Sequence, residues 1–502
     1  MSSNKVYWKS VAQLDKDNEL VQKLEQNEFV DQIPVDEFLG DEQTMSQSNT
    51  NRRDFLKYVG FSTAAASLAA CEGPVIKSVP YVVQPEQIIP GIANYYATAI
   101  ADGFDFRSVI IKTREGRPIK VENNKEAPTL GGGNARVHAS VLSMYDINRL
   151  QGPKAGGEDI NWSEFYGRVG AKLKAMAVSD KPIVLLTQTF ASPTTQSIIE
   201  KFIAQFPNVS HVVYDTLSSS SALDAFENVY GVRALADYDF SKAETIVSID
   251  ADILGDWQGG GYDSGYSQSR VPKKHHGKSQ MSYHVQFESN MTLSGANADK
   301  RIATDPDTQK KILAHIYAQL TGTSVANDLS SQFSKAVTQV VTRLKRSRSK
   351  AVVVSGIEDV AAQEVVLAIN DYLGSEVIDV AQPKFIRQGS NQHVNQMIDD
   401  MESGKLKGLI TAGVNPGFTL PNAEAFTAAL SKLELSVTFA LKEDETSAAA
   451  QFVAATPHYL ESWGDYQFKK GHYALAQPTI RPLFDTQQFQ DILLKLSGSN
   501  ST

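Results

Sequence analysis

Hydrophobic positions change their period along the chain. Between 91 and 125 the pattern is that of short strands: 95–99, 107–113 and 119–122 carry β-branched and aromatic residues. Turn residues separate them at Asp102-Gly103 and Glu115-Gly116-Arg117-Pro118, which predicts a hairpin-rich sheet. A short helix is expected over 139–146. From 160 onward, apolar runs of strand length alternate with helical spacing. Strands are predicted over 182–190, 209–214 and 244–249, with helices over 193–205 and 219–230. A second set begins near 350, with strands over 350–356, 376–380, 409–411 and 435–440 and a helix over 360–373. Residues 321–350 are polar and mostly helical. Strand and helix in alternation predict an α/β fold, with parallel sheets covered on both faces. The expected order is a β-rich domain at 71–155, a first α/β domain at 156–345 and a second at 346–496. A chain of 502 residues suits about three domains at ~150 residues each.

The first 70 residues do not join this pattern. A helical stretch at 11–29 and a polar linker at 43–50 precede Asn51-Arg52-Arg53-Asp54-Phe55-Leu56-Lys57, a twin-arginine pattern. The apolar run behind it, 59–70, is about 12 residues, where a membrane span needs ~20, so it reads as the core of a signal peptide. Leu68-Ala69-Ala70-Cys71 then matches a lipoprotein cleavage site, with Cys71 as the acylated residue. Residues 1–70 are therefore expected to be leader and signal. The mature chain is expected to begin at Cys71, exported by the twin-arginine route and lipid-anchored at the periplasmic face of the inner membrane. A Pro-rich arm follows at 72–90, and the Ser/Gly/Asn/Thr tail at 497–502 is expected to be disordered.

Composition narrows the chemistry. Net charge is −9 without broad Lys/Arg enrichment, which argues against nucleic acid as a partner. Cys71 is the single cysteine. A disulfide within the chain, a four-thiolate iron–sulfur cluster and a CxxCH haem site are all excluded by that count.

Neither α/β set carries GxGxxG or GxxxxGK[ST], so the dinucleotide and P-loop readings lack their key feature. His275-His276 has no third ligand nearby and reads as part of a basic loop with Arg270, Lys273 and Lys274. The serines at 218–221 lack a nucleophile-elbow context. Three loops at strand ends stand out: 250–257 (Asp250, Asp252, Trp257), 413–417 (Gly413, Asn415, Pro416) and 461–465. Ligands bind at strand carboxyl ends in such sheets, yet Asp, Asn and Gly also build capped turns there. Residue types alone leave both readings open.

Residues 116–124, 133–141 and 145–150 together resemble the N-terminal domain of molybdopterin oxidoreductases of the dimethyl-sulfoxide-reductase superfamily. Gln286-Phe287-Glu288-Ser289-Asn290, the 293–299 stretch, Gly413-Val414-Asn415-Pro416 and Leu460-Glu461-Ser462-Trp463-Gly464-Asp465 are similar to one branch. Its best-known member is the iron–sulfur and molybdopterin-like subunit of alternative complex III, which shares the extended internal twin-arginine signal. The resemblance covers about residues 1–495. It implies two Rossmann-like α/β domains of the molybdopterin-oxidoreductase type. The family's C-terminal β-barrel domain has no counterpart in this sequence.

The departures are as informative. Asn134 stands where the family places the fourth cluster cysteine, and Arg136 corresponds to a basic residue between cluster and pterin. The resemblance then implies a cofactor-free, non-catalytic structural subunit with no catalytic or metal-ligating residues, in which Asp250, Asp252, Trp257, Gly413, Asn415, Pro416 and Arg136 are vestiges of a pterin site. The implied partners are a ferredoxin-like iron–sulfur half or subunit, a quinol-binding integral membrane subunit and multihaem cytochromes c. Electrons would pass from quinol through the iron–sulfur partner to cytochrome c or an oxidase. The alternative is an active reductase of polysulfide or a similar acceptor, holding molybdenum-bis-molybdopterin through a non-Cys ligand.

Overall fold

The computed structural model describes residue 89 and residues 91–499, except 276, 277 and 327. Arg52, Arg53, Cys71, nearly all of the Pro-rich arm and the last three residues of the tail lie outside the described residues. The described chain falls within one compact unit. No helix of the described residues is long and apolar enough to cross a membrane.

The N-terminal sheet is an antiparallel meander of Ala93–Ala101, Phe106–Arg114 and Arg117–Asn123. Its inward positions, Ile100, Val109, Ile111 and Val121, pack on Val137, Val141 and Met144 of the helix Ala135–Met144. That helix starts four residues before its predicted position. The reason is Asn134, whose side chain accepts from the Val137 amide and caps the first turn.

Two sheets form the α/β body. One has seven strands, and five of them run parallel in the order Phe452–Ala455, Leu435–Ala440, Gly408–Ala412, Ile183–Thr187, Val209–Val213. The other has four parallel strands in the order Lys300–Ala303, Tyr283–Glu288, Thr245–Ile249, Ala351–Ser355. Helices cover both, and their ends follow local chemistry. Pro193–Gln205 opens with Ser192 as cap and Pro193 at its first turn. Val360–Leu373 opens on Asp359 and stops at Gly374, whose φ is 60°.

Strand pairing does not follow the sequential halves at 156–345 and 346–496. Ile183–Thr187 pairs with Gly408–Ala412, and Thr245–Ile249 pairs with Ala351–Ser355. The segment 245–355 is thus one sheet, enclosed in sequence by the two parts of the other. In the larger sheet Ile183–Thr187, Gly408–Ala412 and Phe452–Ala455 are predominantly apolar and fully buried, and such runs carry no mark of which neighbour they pair with. A third, antiparallel sheet joins Leu235–Tyr238, Ile378–Lys384, Gly464–Lys469 and His472–Ala476.

Candidate functional site

The four-stranded sheet reverses its strand order between Thr245–Ile249 and Ala351–Ser355. A pocket of about 310 Å³ lies at the carboxyl ends of these two strands, lined by Asp250, Asp252, Asp256, Trp257, Ser355 and Glu358 among others. This is the position where open α/β sheets hold ligands. Asp250 sits in the left-handed region at φ 61°. Gly356 faces it so closely that a Cβ would lie 2.1 Å from the Asp250 carbonyl oxygen, so only glycine fits there. Burial raises the Asp250 carboxyl above its ordinary range, although Gln309 donates to it at 3.1 Å. Burial likewise raises Glu358. Asp252 accepts from the Ser294 amide at 2.9 Å and its hydroxyl at 2.6 Å. Trp257 donates its indole N–H to the Ser355 carbonyl at 3.1 Å.

The predicted loops at 413–417 and 461–465 meet at a second pocket of about 510 Å³, where Gly413, Asn415, Trp463 and Gly464 join Lys442, His458 and Tyr459. Asn415 is engaged on both sides. Its oxygen accepts from the Thr446 amide and hydroxyl, and its nitrogen donates to Glu445 at 2.7 Å. Pro416 opens the short helix Pro416–Thr419 and is buried. The Gln188 amide nitrogen, in the orientation that satisfies both partners, donates to the Asp102 and Gly413 carbonyls at 2.9 Å each. His458 is buried, and its pKa falls to about 4 chiefly through desolvation.

Arg136 lies outside both pockets and closes a network beside the first. Asp105 is 1% exposed. It accepts from Asn134 Nδ2 at 2.6 Å and from Arg136 Nε at 2.8 Å. The other edge of the Arg136 guanidinium donates to Asp256 at 2.7 and 3.0 Å. These bonds, to Asp256 first and then Asp105, raise the Arg136 pKa further and hold Asp256 below the usual carboxylate range.

At the first pocket and behind its wall lie three buried cations that sequence reasoning did not find: Arg107, Lys384 and Arg387, each at most 2% exposed. Arg107 donates to the Gly259 carbonyl at 3.0 Å, and Arg387 to the Phe104 carbonyl at 3.0 Å. Lys384 contacts the Tyr262 hydroxyl and lies 3.8 Å from Asp237. Desolvation lowers all three pKa values, that of Lys384 to about 8. Nothing in the local sequence separates these residues from surface cations, which are far commoner. Among the described residues, no group of three or more His, Cys, Asp or Glu side chains could hold a metal ion.

Two further motif residues meet although 312 positions apart. Arg149 makes a bidentate ion pair with Glu461, at 2.6 and 3.1 Å, and both side chains are at most 1% exposed.

No protein-family model matches the chain. It is 24% identical over 510 aligned positions to the menaquinone reductase molybdopterin-binding-like subunit of Nitratidesulfovibrio vulgaris, covering 89% of this chain and 72% of that one. Its fold superposes on acetylene hydratase from Pelobacter acetylenicus with a TM-score of 0.60 at 10% identity, over 80% of this chain and 69% of that chain. The first likeness is one of sequence to a molybdopterin-binding-like subunit, and the second is one of fold alone.

Proposed function

We propose that this chain is a non-catalytic structural subunit of a quinone-linked respiratory complex of the alternative complex III kind, exported and lipid-anchored through Cys71. In this reading it binds no cofactor and supports an iron–sulfur partner. That partner carries electrons from a quinol-binding membrane subunit toward cytochrome c or an oxidase. The name of the Nitratidesulfovibrio relative supports the quinone link and a multi-subunit setting.

The observation that carries the non-catalytic reading is how the family's cofactor positions are used. Asn134 caps a helix and is tied to Asp105, and Arg136 is spent on two carboxylates. A dithiolene-held metal and its pterins do not suit the groups present. Asp252, Asn415 and Trp257 bond within the chain. On the side a Cβ would take, the Gly259–Gly261 backbone packs against the chain itself. A Cβ on Gly259 would meet Ile386 at 2.6 Å, and one on Gly261 would meet Arg107 at 3.1 Å. No step of a reaction is assigned to any residue of this chain.

Affinity purification of the native chain from detergent-extracted membranes tests the assignment. Co-purification of an iron–sulfur subunit and a membrane subunit, with quinol oxidation by the assembly, is expected. Recovery of the chain alone, with intrinsic reductase activity toward polysulfide, would overturn it.

A further inference from the structure

The chain is acidic overall, yet its two longest stretches without a carboxylate are rich in cations. Between Asp263 and Glu288 the charged residues are Arg270, Lys273, Lys274 and Lys278, and between Asp328 and Glu358 they are again all cations. The fold brings these segments to one edge. Residues 273–275 and 278–280 form an antiparallel pair leading into Tyr283–Glu288. The helix Ser331–Ser347 leads into Ala351–Ser355. Both strands start at the same level of the four-stranded sheet, where Tyr283 and Ala351 each pair with Thr245.

Glu244 laces the two entrances together. Its amide donates to the Lys350 carbonyl at 2.8 Å, and its carbonyl accepts from the Tyr283 amide at 2.9 Å. The Arg343 guanidinium lies 3.5 Å from the centre of the Tyr283 ring, a cation–π contact that spans the segments. Of the carboxylates near this edge, Glu244 pairs with Lys350 and Asp299 with Arg270, while Glu376 is exposed beside Lys350. Lys345, Arg346 and Arg348 are exposed, and Arg346 and Arg348 form no ion pair among the described residues. Val271 and Met281, which flank the basic strand pair, are 59% and 46% exposed.

We infer that this edge, the amino end of the four-stranded sheet, is a docking surface for an anionic phospholipid bilayer. Clustered cations attract such a surface, and apolar side chains beside them insert at the headgroup level. An acidic protein would use the same cations, and a comparison with poly-glutamate separates that occupant from lipid. The inference rests on the proposal that the chain works at a membrane. It adds a face and an orientation, since the strand-end pocket at the opposite edge of this sheet then points away from the lipid.

The test uses the chain from residue 71 onward with Cys71→Ser, so that neither the signal nor an acyl chain contributes, and vesicles of phosphatidylcholine with or without roughly one-third phosphatidylglycerol. Co-sedimentation with the anionic vesicles is expected, with little binding to neutral ones and release in ~0.5 M salt. Arg346→Gln with Arg348→Gln should lower the partition about thirty-fold, given the usual contribution of each basic residue near such a surface. A matching urea midpoint for this variant shows that its fold is intact. Equal partition into both vesicle types, absence of binding, or an unchanged partition for the double variant would overturn the inference. So would stronger retention by poly-glutamate than by anionic vesicles. Each result reads the patch alone, whereas metal content and subunit recovery read the structural-subunit proposal.

Discussion

Replacing Arg149 with methionine is the most informative perturbation of the fold. Glu461 accepts four bonds, two from Arg149 and one each from the His458 amide at 2.8 Å and the Leu483 amide at 3.1 Å. Arg149 also donates to the Met144 carbonyl at 2.9 Å and lies over Phe484. Arg149→Met keeps most of the packing volume and leaves a buried carboxylate with two backbone donors. Stranding one member of a buried pair costs about 3–5 kcal/mol. Burial pushes the Glu461 pKa up, but Arg149 and the backbone amides outweigh it and hold the group below its ordinary value. The native pair therefore contributes stability above the unfolded carboxyl pKa, and that contribution is lost as pH falls through the folded value. In Arg149→Met burial dominates, so protonation relieves the stranded charge and the deficit shrinks on acidification. Urea midpoints followed by tryptophan fluorescence from neutral to mildly acid pH measure both effects. A cost below ~1 kcal/mol at neutral pH, or a deficit that grows on acidification, would refute the reasoning.

Other outcomes follow from the same geometry. Asp105→Ala should cost about 3 kcal/mol by releasing Asn134 and Arg136, while Asp256→Ala, in a half-exposed pair, should cost under ~1 kcal/mol by urea unfolding. Lys384 has a lowered pKa of about 8 in the folded chain, so the unfolded state holds its proton to higher pH. Stability should then rise between about pH 8 and 10 in the native chain relative to Lys384→Met, and identical pH profiles would rule this out. Cys71→Ser should yield an unacylated precursor that washes from membranes in ~0.5 M salt. Mass spectrometry finding unmodified Cys71 in membrane-bound mature protein would contradict the anchor.

Local elements were legible because their signals are local. The helices expected over 193–205 and 360–373 form with those bounds, where Ser192 and Asp359 cap their starts and Gly374 ends the second. Long-range order was not legible. Ile183–Thr187 is fully buried, so its sequence does not distinguish Val209–Val213 beside it from Gly408–Ala412 on its other side. The motif around Arg149 and that around Glu461 were each visible, but ion pairing between them depends on a connection of 312 residues. Arg107, Lys384 and Arg387 escaped notice because burial of a cation is decided by acceptors from elsewhere in the fold, here the Gly259 carbonyl, the Tyr262 hydroxyl and the Phe104 carbonyl. Among the candidate residues, Asp250, Asp252 and Trp257 share one pocket, and Gly413 and Asn415 share another. Each set comes from the end of a strand, which is where their sequence context had put them.

The molybdenum content of the native chain tests the central claim most directly. The chain would be purified with its partners from membranes of cells grown with ample molybdate, then resolved from them under native conditions and analysed by mass spectrometry of the elements. The account predicts molybdenum and tungsten far below one atom per chain, with iron following the partner fraction. One molybdenum atom per chain, remaining with this subunit after separation, would contradict it.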